Sequence, residues 1–393
     1  MSLEQQVAAL VTSTDQLTQA VVGKVAAIDA AVEDAKASLE SQLASRTFTL
    51  RNRVINGDMR IDQRRSGSPL TDQTNSTRAF AVDRFRTNGK VLPSGRFTLR
   101  QDTDAPSGFI YSLRVSITTA EVVAAGQIFT LEHPIELQSI ADFSWGPPGG
   151  QPATLTFWVK STVPGKYSVA IRFSASAPEV GFLTSYTIEK AYTWEKKSVS
   201  IVAPPNVGSV IDPSAPGALI CWNLGSGSNS VGVGGAWSSS QLYRVRGDVN
   251  LVENLGASLL ITGVQLEKGD VATPFEFRPL GLELHLCQRY YFQSEGFDSG
   301  SSPYPGANAI CIVANSCRTL TPTPPVTMRA APTVVIKSAG SRLHNCISDA
   351  ATGSLVEVFA ASAGRHRPPQ LVLSASTTAG RLFEFDYSLN AEL

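Results

Sequence analysis

The histidines and cysteines are the residues best suited to metal or nucleophile chemistry, and their spacing argues against both. His133, His285, His344 and His366 lie far apart, with no H-E-x-x-H and no H-x-H pattern. Cys221, Cys287, Cys311, Cys317 and Cys346 are odd in number and form no C-x-x-C pair, so neither a disulfide framework nor a zinc site is signalled. Two histidines have a cysteine two residues on. On strands, His285 with Cys287, and His344 with Cys346, would each share a face, and four such ligands would hold zinc only if the strands met. Nothing in the sequence requires that, so no metal and no cofactor are expected and the thiols read as reduced and buried. No G-x-S-x-G or G-x-x-x-x-G-K occurs, and the glycine-rich run from Gly225 to Gly235, with no helix after it, reads as a mobile loop.

Paired carboxylates cleave glycosidic bonds. Asp102 with Asp104, and Glu384 with Asp386, could each share a strand face, but nearness along a chain sets no separation across a sugar. Solvated strand charges are the simpler reading, and the chain is expected not to be an enzyme. Binding a sugar asks for less, namely a rigid aromatic face with polar groups around it. Trp158, Trp222, Trp237 and Tyr243 are candidates, and Trp158 alternates with Phe157 and Val159, so one face there is core and the other free. In the last hundred residues Phe297 and Tyr304, on a Ser- and Gly-rich loop, join Arg342 and His344 as candidate contacts on exposed loops. Each of these aromatics could equally serve a core or ordinary loop packing.

The elements that must position these residues are of two kinds. From Leu3 to Leu39 apolar residues recur in a three-four rhythm that includes Leu10, Leu17, Val21, Val25, Ile28, Val32 and Leu39, a heptad seam. Val21 to Val25 makes a stutter around Gly23, where local unwinding is expected. A lone helix would leave this seam wet, so a parallel coiled-coil stalk over 1–46 is expected, and its core residues alone leave two and three strands open. Packing of an amphipathic helix on its own body is the alternative.

Beyond Arg46 the texture changes to short alternating strands among glycines and prolines. Leu113, Val115 and Ile117, then Leu155, Phe157 and Val159, then Tyr167, Val169, Ile171 and Phe173 each read as one buried strand face, with a hairpin at Pro164–Gly165 between the last two. Ser198–Val202 and Leu259–Leu266 supply further strands. The fold class is mainly β: a jelly-roll sandwich over 47–292 and a smaller β-sandwich over 293–393, with strands at 309–314, 326–328, 333–336, 355–359, 371–373 and 382–389. Lys and Arg total 33 and Asp and Glu also 33, so no net field recruits nucleic acid. No apolar run approaches a membrane span, and the start lacks a secretory pattern, so synthesis in a cytoplasm is expected.

Two segments carry a family resemblance. Asn52-Arg-Val-Ile-Asn-Gly-Asp-Met-Arg-Ile-Asp-Gln-Arg64 with Ala81-Val-Asp-Arg-Phe85 opens the domain. Ile261-Thr-Gly-Val-Gln-Leu-Glu-Lys-Gly269, Ala272-Thr-Pro-Phe-Glu-Phe-Arg-Pro-Leu280 and Cys287-Gln-Arg-Tyr-Tyr291 close it. These resemble a domain of bacteriophage tail-fibre and receptor-binding proteins, which in turn looks like carbohydrate-binding jelly rolls. The resemblance spans about residues 50 to 292, and the C-terminal segments from Val326 and from Phe383 resemble the end domains of phage tail proteins. It implies a homotrimeric virion fibre, made in the host cytoplasm and joined through its N-terminus to other tail or baseplate proteins. It further implies a distal tip at 293–393 that meets host cell-surface polysaccharide, with neither nucleic acid nor membrane insertion. A capsid head fibre or decoration protein, and a polysaccharide-degrading tailspike, are the alternatives. Without the resemblance, Asn56-Gly57-Asp58 reads as a tight turn, and Gln265 and Glu267 alternate outward from Val264 and Leu266.

Overall fold

The computed structural model describes residues 2–45, 50–73, 78–90, 95–174, 179–205, 216–294, 307–313, 316–319, 324–338, 346–352, 354–365, 367, 369–373 and 382–392. Two compact units result, residues 1–51 and 52–393.

The first unit is one helix, α1 (Leu3–Ser45). A capping box starts it: the Gln5 N–H donates to Ser2 Oγ (3.3 Å) and the Ser2 N–H to Gln5 Oε1 (3.0 Å), which satisfies two donors that helix geometry orphans. The helix runs unbroken through Gly23. Its absent side chain leaves open space, and the surrounding Ala-rich sequence outweighs one glycine. Every seam residue from Leu10 to Val32 is exposed in the single chain, between 50% at Val25 and 68% at Leu10. Leu39 lies on the helix, but its side chain is outside the described set.

The second unit is antiparallel β apart from one short parallel pair, Val231–Gly232 with Arg244–Val245. Its strands begin with β1 (Leu70–Gln73), β2 (Ala79–Phe80), β3 (Arg86–Lys90), β4 (Arg96–Asp102) and β5 (Ser112–Thr119). There follow β6 (Ile128–Glu136), β7 (Ala153–Ser161), β8 (Gly165–Phe173), β9 (Val180–Ile188) and β10 (Glu195–Ile201). Then come β11 (Pro216–Ser226), the short β12 (Val231–Gly232), β13 (Ala236–Ser238), the short β14 (Arg244–Val245) and β15 (Ser258–Lys268). One sheet runs β1-β4-β5-β15-β7-β10 and the facing one β13-β9-β8-β11-β6-β3-β2. The alternating residues named from sequence, Leu113 to Ile117, Leu155 to Val159 and Tyr167 to Phe173, all point into the one core between them.

Pro164–Gly165 is not a hairpin. β7 and β8 belong to opposite sheets, so the turn carries the chain across the core, where Ser161 Oγ meets Tyr167 Oη at 3.0 Å. The glycine run after Gly225 is likewise no loose loop. Asn229 N–H donates to the Ala125 carbonyl (3.0 Å), and a Cβ on Gly227 would strike the Ala124 carbonyl oxygen, so glycine is what lets these backbones meet.

Helix α2 (Leu280–Gln288) then leads into β16 (Tyr291–Gln293). The remaining strands are β17 (Ala307–Val313), β18 (Ser316–Thr319), β19 (Thr333–Ser338), β20 (Cys346–Asp349), β21 (Leu355–Ser362), β22 (Gln370–Leu373) and β23 (Leu382–Asn390). They form one eight-stranded antiparallel sheet over a second core of Met328, Ile336, Phe383, Phe385 and Leu389. Val326–Met328 is not a strand: Met328 instead plugs that core. The sheet is tied to the sandwich, since Glu392 accepts from both Arg64 (3.0 Å) and Arg84, and Arg289 Nη2 donates to Glu136 (3.0 Å).

Candidate functional site

The two phage-like end segments meet in space, and what they build is a clasp. Asn52 Nδ2 donates to the Val264 carbonyl (2.9 Å), while its Oδ1 accepts from the Val54 and Leu266 N–H groups (2.9 and 3.1 Å). Arg278, almost wholly buried, donates to the carbonyls of Asn52 and Val54 and pairs with Glu283, which in turn accepts from the Asn56 N–H. Gln265 and Glu267 do leave the core face but are buried, capped by Thr273, Pro274 and Glu276. Asn56 is a turn residue at φ 60°, and a Cβ on Gly57 would overlap the Val264 carbonyl. Burial raises the Glu283 carboxyl, and pushes Asp83 up to about 6 despite Arg64 beside it. Asn52, Asn56, Gln265, Glu267, Arg278 and Glu283 are buried and bonded within the chain, and Arg278 Nε is buried without a hydrogen bond. The clasp closes the sandwich and leaves nothing to meet a ligand.

An accessible constellation lies on the outer face of the β15-β7-β10 half of the first sheet. Because Leu155, Phe157 and Val159 face the core, Trp158 and Lys160 of β7 face out. On β10 Lys196 lies directly opposite Trp158 and Glu195 opposite Val159, which sets Trp194 beside Lys160. Two indoles and two ammonium groups therefore alternate across a two-by-two patch, the indoles on one diagonal roughly 7–8 Å apart at the backbone. Asp104 organises it: Lys160 Nζ bonds its two oxygens (2.9 and 2.6 Å), Trp194 Nε1 donates to it (3.1 Å), and Lys160 sits 5.8 Å from the Trp194 ring. Tyr192 stands at the rim, 71% exposed and held at φ 58°, an uncommon conformation for a non-glycine residue. Its N–H is fixed to the Ser161 carbonyl (2.8 Å).

The floor beside Trp158 depends on a bulge in β15 between Thr262 and Gln265. Gly263 there has φ +61°, and a Cβ would lie 2.7 Å from Phe109 Cζ and 3.0 Å from Trp158 Cδ1. Phe109 continues into a ring cluster with Phe275 and Phe277, centroids 4.8 to 5.2 Å apart. Asp102 and Asp104 share Arg114. Burial raises both carboxyls, but the hydrogen bonds from Arg114, Arg100 and the Asp104 N–H on Asp102, and from Lys160 and Trp194 on Asp104, outweigh it and hold both below the usual range. Both are ionised at neutral pH. The patch can stack on a pyranose face and hydrogen-bond its hydroxyls.

Of the sugar-contact residues singled out from sequence, Trp158 lies in this patch and the others fall elsewhere. Trp222 is fully buried between Phe85 and Phe157, so its faces are core and unavailable to a sugar. Trp237 is half-buried against Trp145 and Phe182 with Nε1 donating to the Val202 carbonyl (2.8 Å), and Tyr243 is buried against Arg172. Phe297, Tyr304, Arg342 and His344 lie outside the described residues. His285 and Cys287 are on helix α2, not a strand, so two residues apart puts them on different faces, His285 exposed and Cys287 buried. Burial pushes the Cys287 and Cys221 thiols well up and leaves them unreactive. Asp386 is buried and accepts from Ser294 Oγ (3.1 Å). Among the described residues no three His, Cys, Asp or Glu side chains group to hold a metal, and no helix is long and apolar enough to cross a membrane. Sequence reading passed over Lys160, Tyr192, Trp194 and Lys196. The period-two patterns Trp158-Val-Lys160 and Tyr192-Thr-Trp194-Glu-Lys196 were the available signal.

No family model and no curated protein matches the sequence. Among solved structures the chain is similar to the enzymatically active domain of tailspike protein 4 of bacteriophage CBA120, at 16% identity and TM-score 0.30 over 56% of this chain. The match takes in 21% of that tailspike chain. It is also similar to the family 11 carbohydrate-binding module from Clostridium thermocellum in complex with a β-1,3-1,4-mixed-linked tetrasaccharide, at 9% identity and TM-score 0.28 over 52% of this chain and 98% of that one. A family 30 carbohydrate-binding module is matched at 10% identity and TM-score 0.27, over 54% and 92%.

Proposed function

We propose that this chain is a glycan-recognition protein of a phage virion, a tail fibre that binds host polysaccharide without cleaving it. The observation that carries the reading is the outward Trp158–Lys160–Trp194–Lys196 patch with Tyr192 at its rim, a rigid β-borne aromatic surface that fits the apolar face of a sugar. The exposed seam of α1 supports a homotrimeric coiled-coil stalk, through which the fibre joins other tail or baseplate proteins. The test is a glycan array of host surface polysaccharides probed with the native chain and with Trp158→Ala/Trp194→Ala. Binding by the first and its loss in the second, with the melting temperature kept, is expected; equal binding by both overturns the assignment.

The tip loops stay in this reading as a second contact. Tyr304→Ala/Arg342→Ala should reduce particle adsorption to host cells, and unchanged adsorption removes those loops from it. A polysaccharide-degrading tailspike is the second reading, favoured by Asp104, which bonds Trp194 and shares Arg114 with Asp102, since paired carboxylates cleave glycosidic bonds. Release of reducing ends from host polysaccharide would decide for it. Imaging of labelled particles separates tail from capsid attachment.

A further inference from the structure

One loop, from Thr103 to Phe109, serves two sets of rings. Through Asp104 it holds Lys160 and Trp194 of the indole patch, and a turn closed by the Phe109 N–H on the Pro106 carbonyl (3.0 Å) sets the Phe109 ring beside Trp158. Those two rings meet over Gly263, where a Cβ would stand 2.7 Å from the first and 3.0 Å from the second, so a glycine at φ +61° is what lets them adjoin. Phe109 also touches Phe275 and Phe277, each 5.2 Å away between centroids. The clasp holds this second pair in place. Glu276 accepts from the Asn52 N–H (3.0 Å) and Arg278 is buried on the Asn52 and Val54 carbonyls, while the alternate Phe275 and Phe277 stay outside, 4.8 Å apart, the second 56% exposed.

We infer that Phe109 and Phe277 prolong the indole patch, so that its ligand is a linear polysaccharide held along its length rather than a single sugar or a chain end; this rests on the glycan reading of the patch. Trp194, Trp158, Phe109 and Phe277 follow one another from the edge strand β10 over β7 and the β15 bulge to the segment after β15. The two indoles alone stand roughly 7–8 Å apart at the backbone. The phenyl rings add a further 5.2 Å between centroids beyond Trp158, so the strip is longer than one pyranose. A site for a chain end would enclose most of the terminal sugar. This strip lies instead on an outer sheet face that stops at edge strand β10, where a chain can run off it. Lys160, Lys196 and Asp104 stand among the indoles, a mixture that suits a ligand carrying hydroxyls between its apolar faces better than the apolar core of a protein partner's surface.

The full chain is titrated calorimetrically with size-fractionated oligosaccharides, from disaccharides upward, made by partial acid hydrolysis of the host's surface polysaccharide. The native chain should bind the longest at least tenfold more tightly than the shortest, because each added sugar reaches a further ring already held in place. Phe277→Ala removes an exposed ring, so it should melt like the native chain and bind the shortest fraction equally while losing most of that gain. Phe277→Tyr, which keeps a ring, should recover it. A Phe277→Ala chain with the full gain, or a native chain whose affinity does not rise with length, overturns the strip and leaves the indole patch standing. A native chain that binds no fraction, or binds no better than Trp158→Ala/Trp194→Ala, removes the patch and the strip together.

Discussion

The clasp and the indole patch lie on one β-sandwich and differ in every respect that matters for reading a sequence. The clasp is built from the segments that resemble phage proteins, and its Asn52, Arg278 and Glu283 are buried, hydrogen-bonded within the chain and backed by charges taken out of water. The indole patch lies in a stretch with no motif, and its residues are half-exposed or exposed. The recognisable residues close the fold, whereas the outward residues of the patch, Trp158 apart, drew no notice from the sequence. Binding tolerates change at its surface; a buried network does not.

The sharpest way to break that contrast is Arg278→Ala. Removing the guanidinium orphans Glu283 and two backbone carbonyls in the interior, and a loss of about 3–5 kcal/mol is expected in denaturant unfolding. A loss under about 1 kcal/mol would mean the clasp is not a structural unit. Next comes pH. The folded-state value of Asp83, about 6, lies above the ordinary carboxylate value, so its contribution is complete below that ordinary value and is lost as pH rises through about 6. Relative to Asp83→Asn, the native chain should lose on the order of 2–3 kcal/mol between pH 4 and 7. Parallel pH curves for the two would remove the assignment.

On the patch side, Gly263→Ala forces a side chain into a φ of +61° and against Phe109 and Trp158, and about 1–3 kcal/mol of destabilisation is expected with weaker glycan binding. The smallest effect sharpens the comparison most. Trp194→Ala should leave unfolding within about 0.5 kcal/mol of native yet weaken polysaccharide affinity roughly tenfold, about 1.4 kcal/mol. Calorimetric titration alongside thermal melting reads both, and a change in stability without a change in affinity would erase the distinction between the regions.

Much of the sandwich was legible because a strand with one buried face must alternate, as Leu155-Thr-Phe-Trp-Val159 does. Which sheet each strand joins was not, and so Pro164–Gly165 looked like a hairpin: local pattern carries no record of whether a turn stays in a sheet or crosses the core. Leu280-Gly-Leu-Glu-Leu-His-Leu alternates like a strand, yet it is a helix because Pro279 starts it, leucine and glutamate propagate it, and Glu283 has partners only in that geometry. Large aromatics divided by environment rather than type. Trp222 and Trp158 each sit in a period-two strand, and only the packing of both sheets decides that the first is core and the second faces out.

The clasp also sets an order of events during synthesis. Apart from the nearby Val54 N–H, the partners of Asn52 described above, Val264, Leu266, Glu276 and Arg278, are made more than two hundred residues later, so the sandwich closes only after most of it is outside the ribosome. At roughly 5–20 residues per second, the segment from the end of α1 to Glu283 takes some tens of seconds to emerge. Throughout that interval α1 is already made with its apolar stripe exposed, so under the proposed coiled-coil reading neighbouring nascent chains on one message can register their helices before any of them has a finished β-domain.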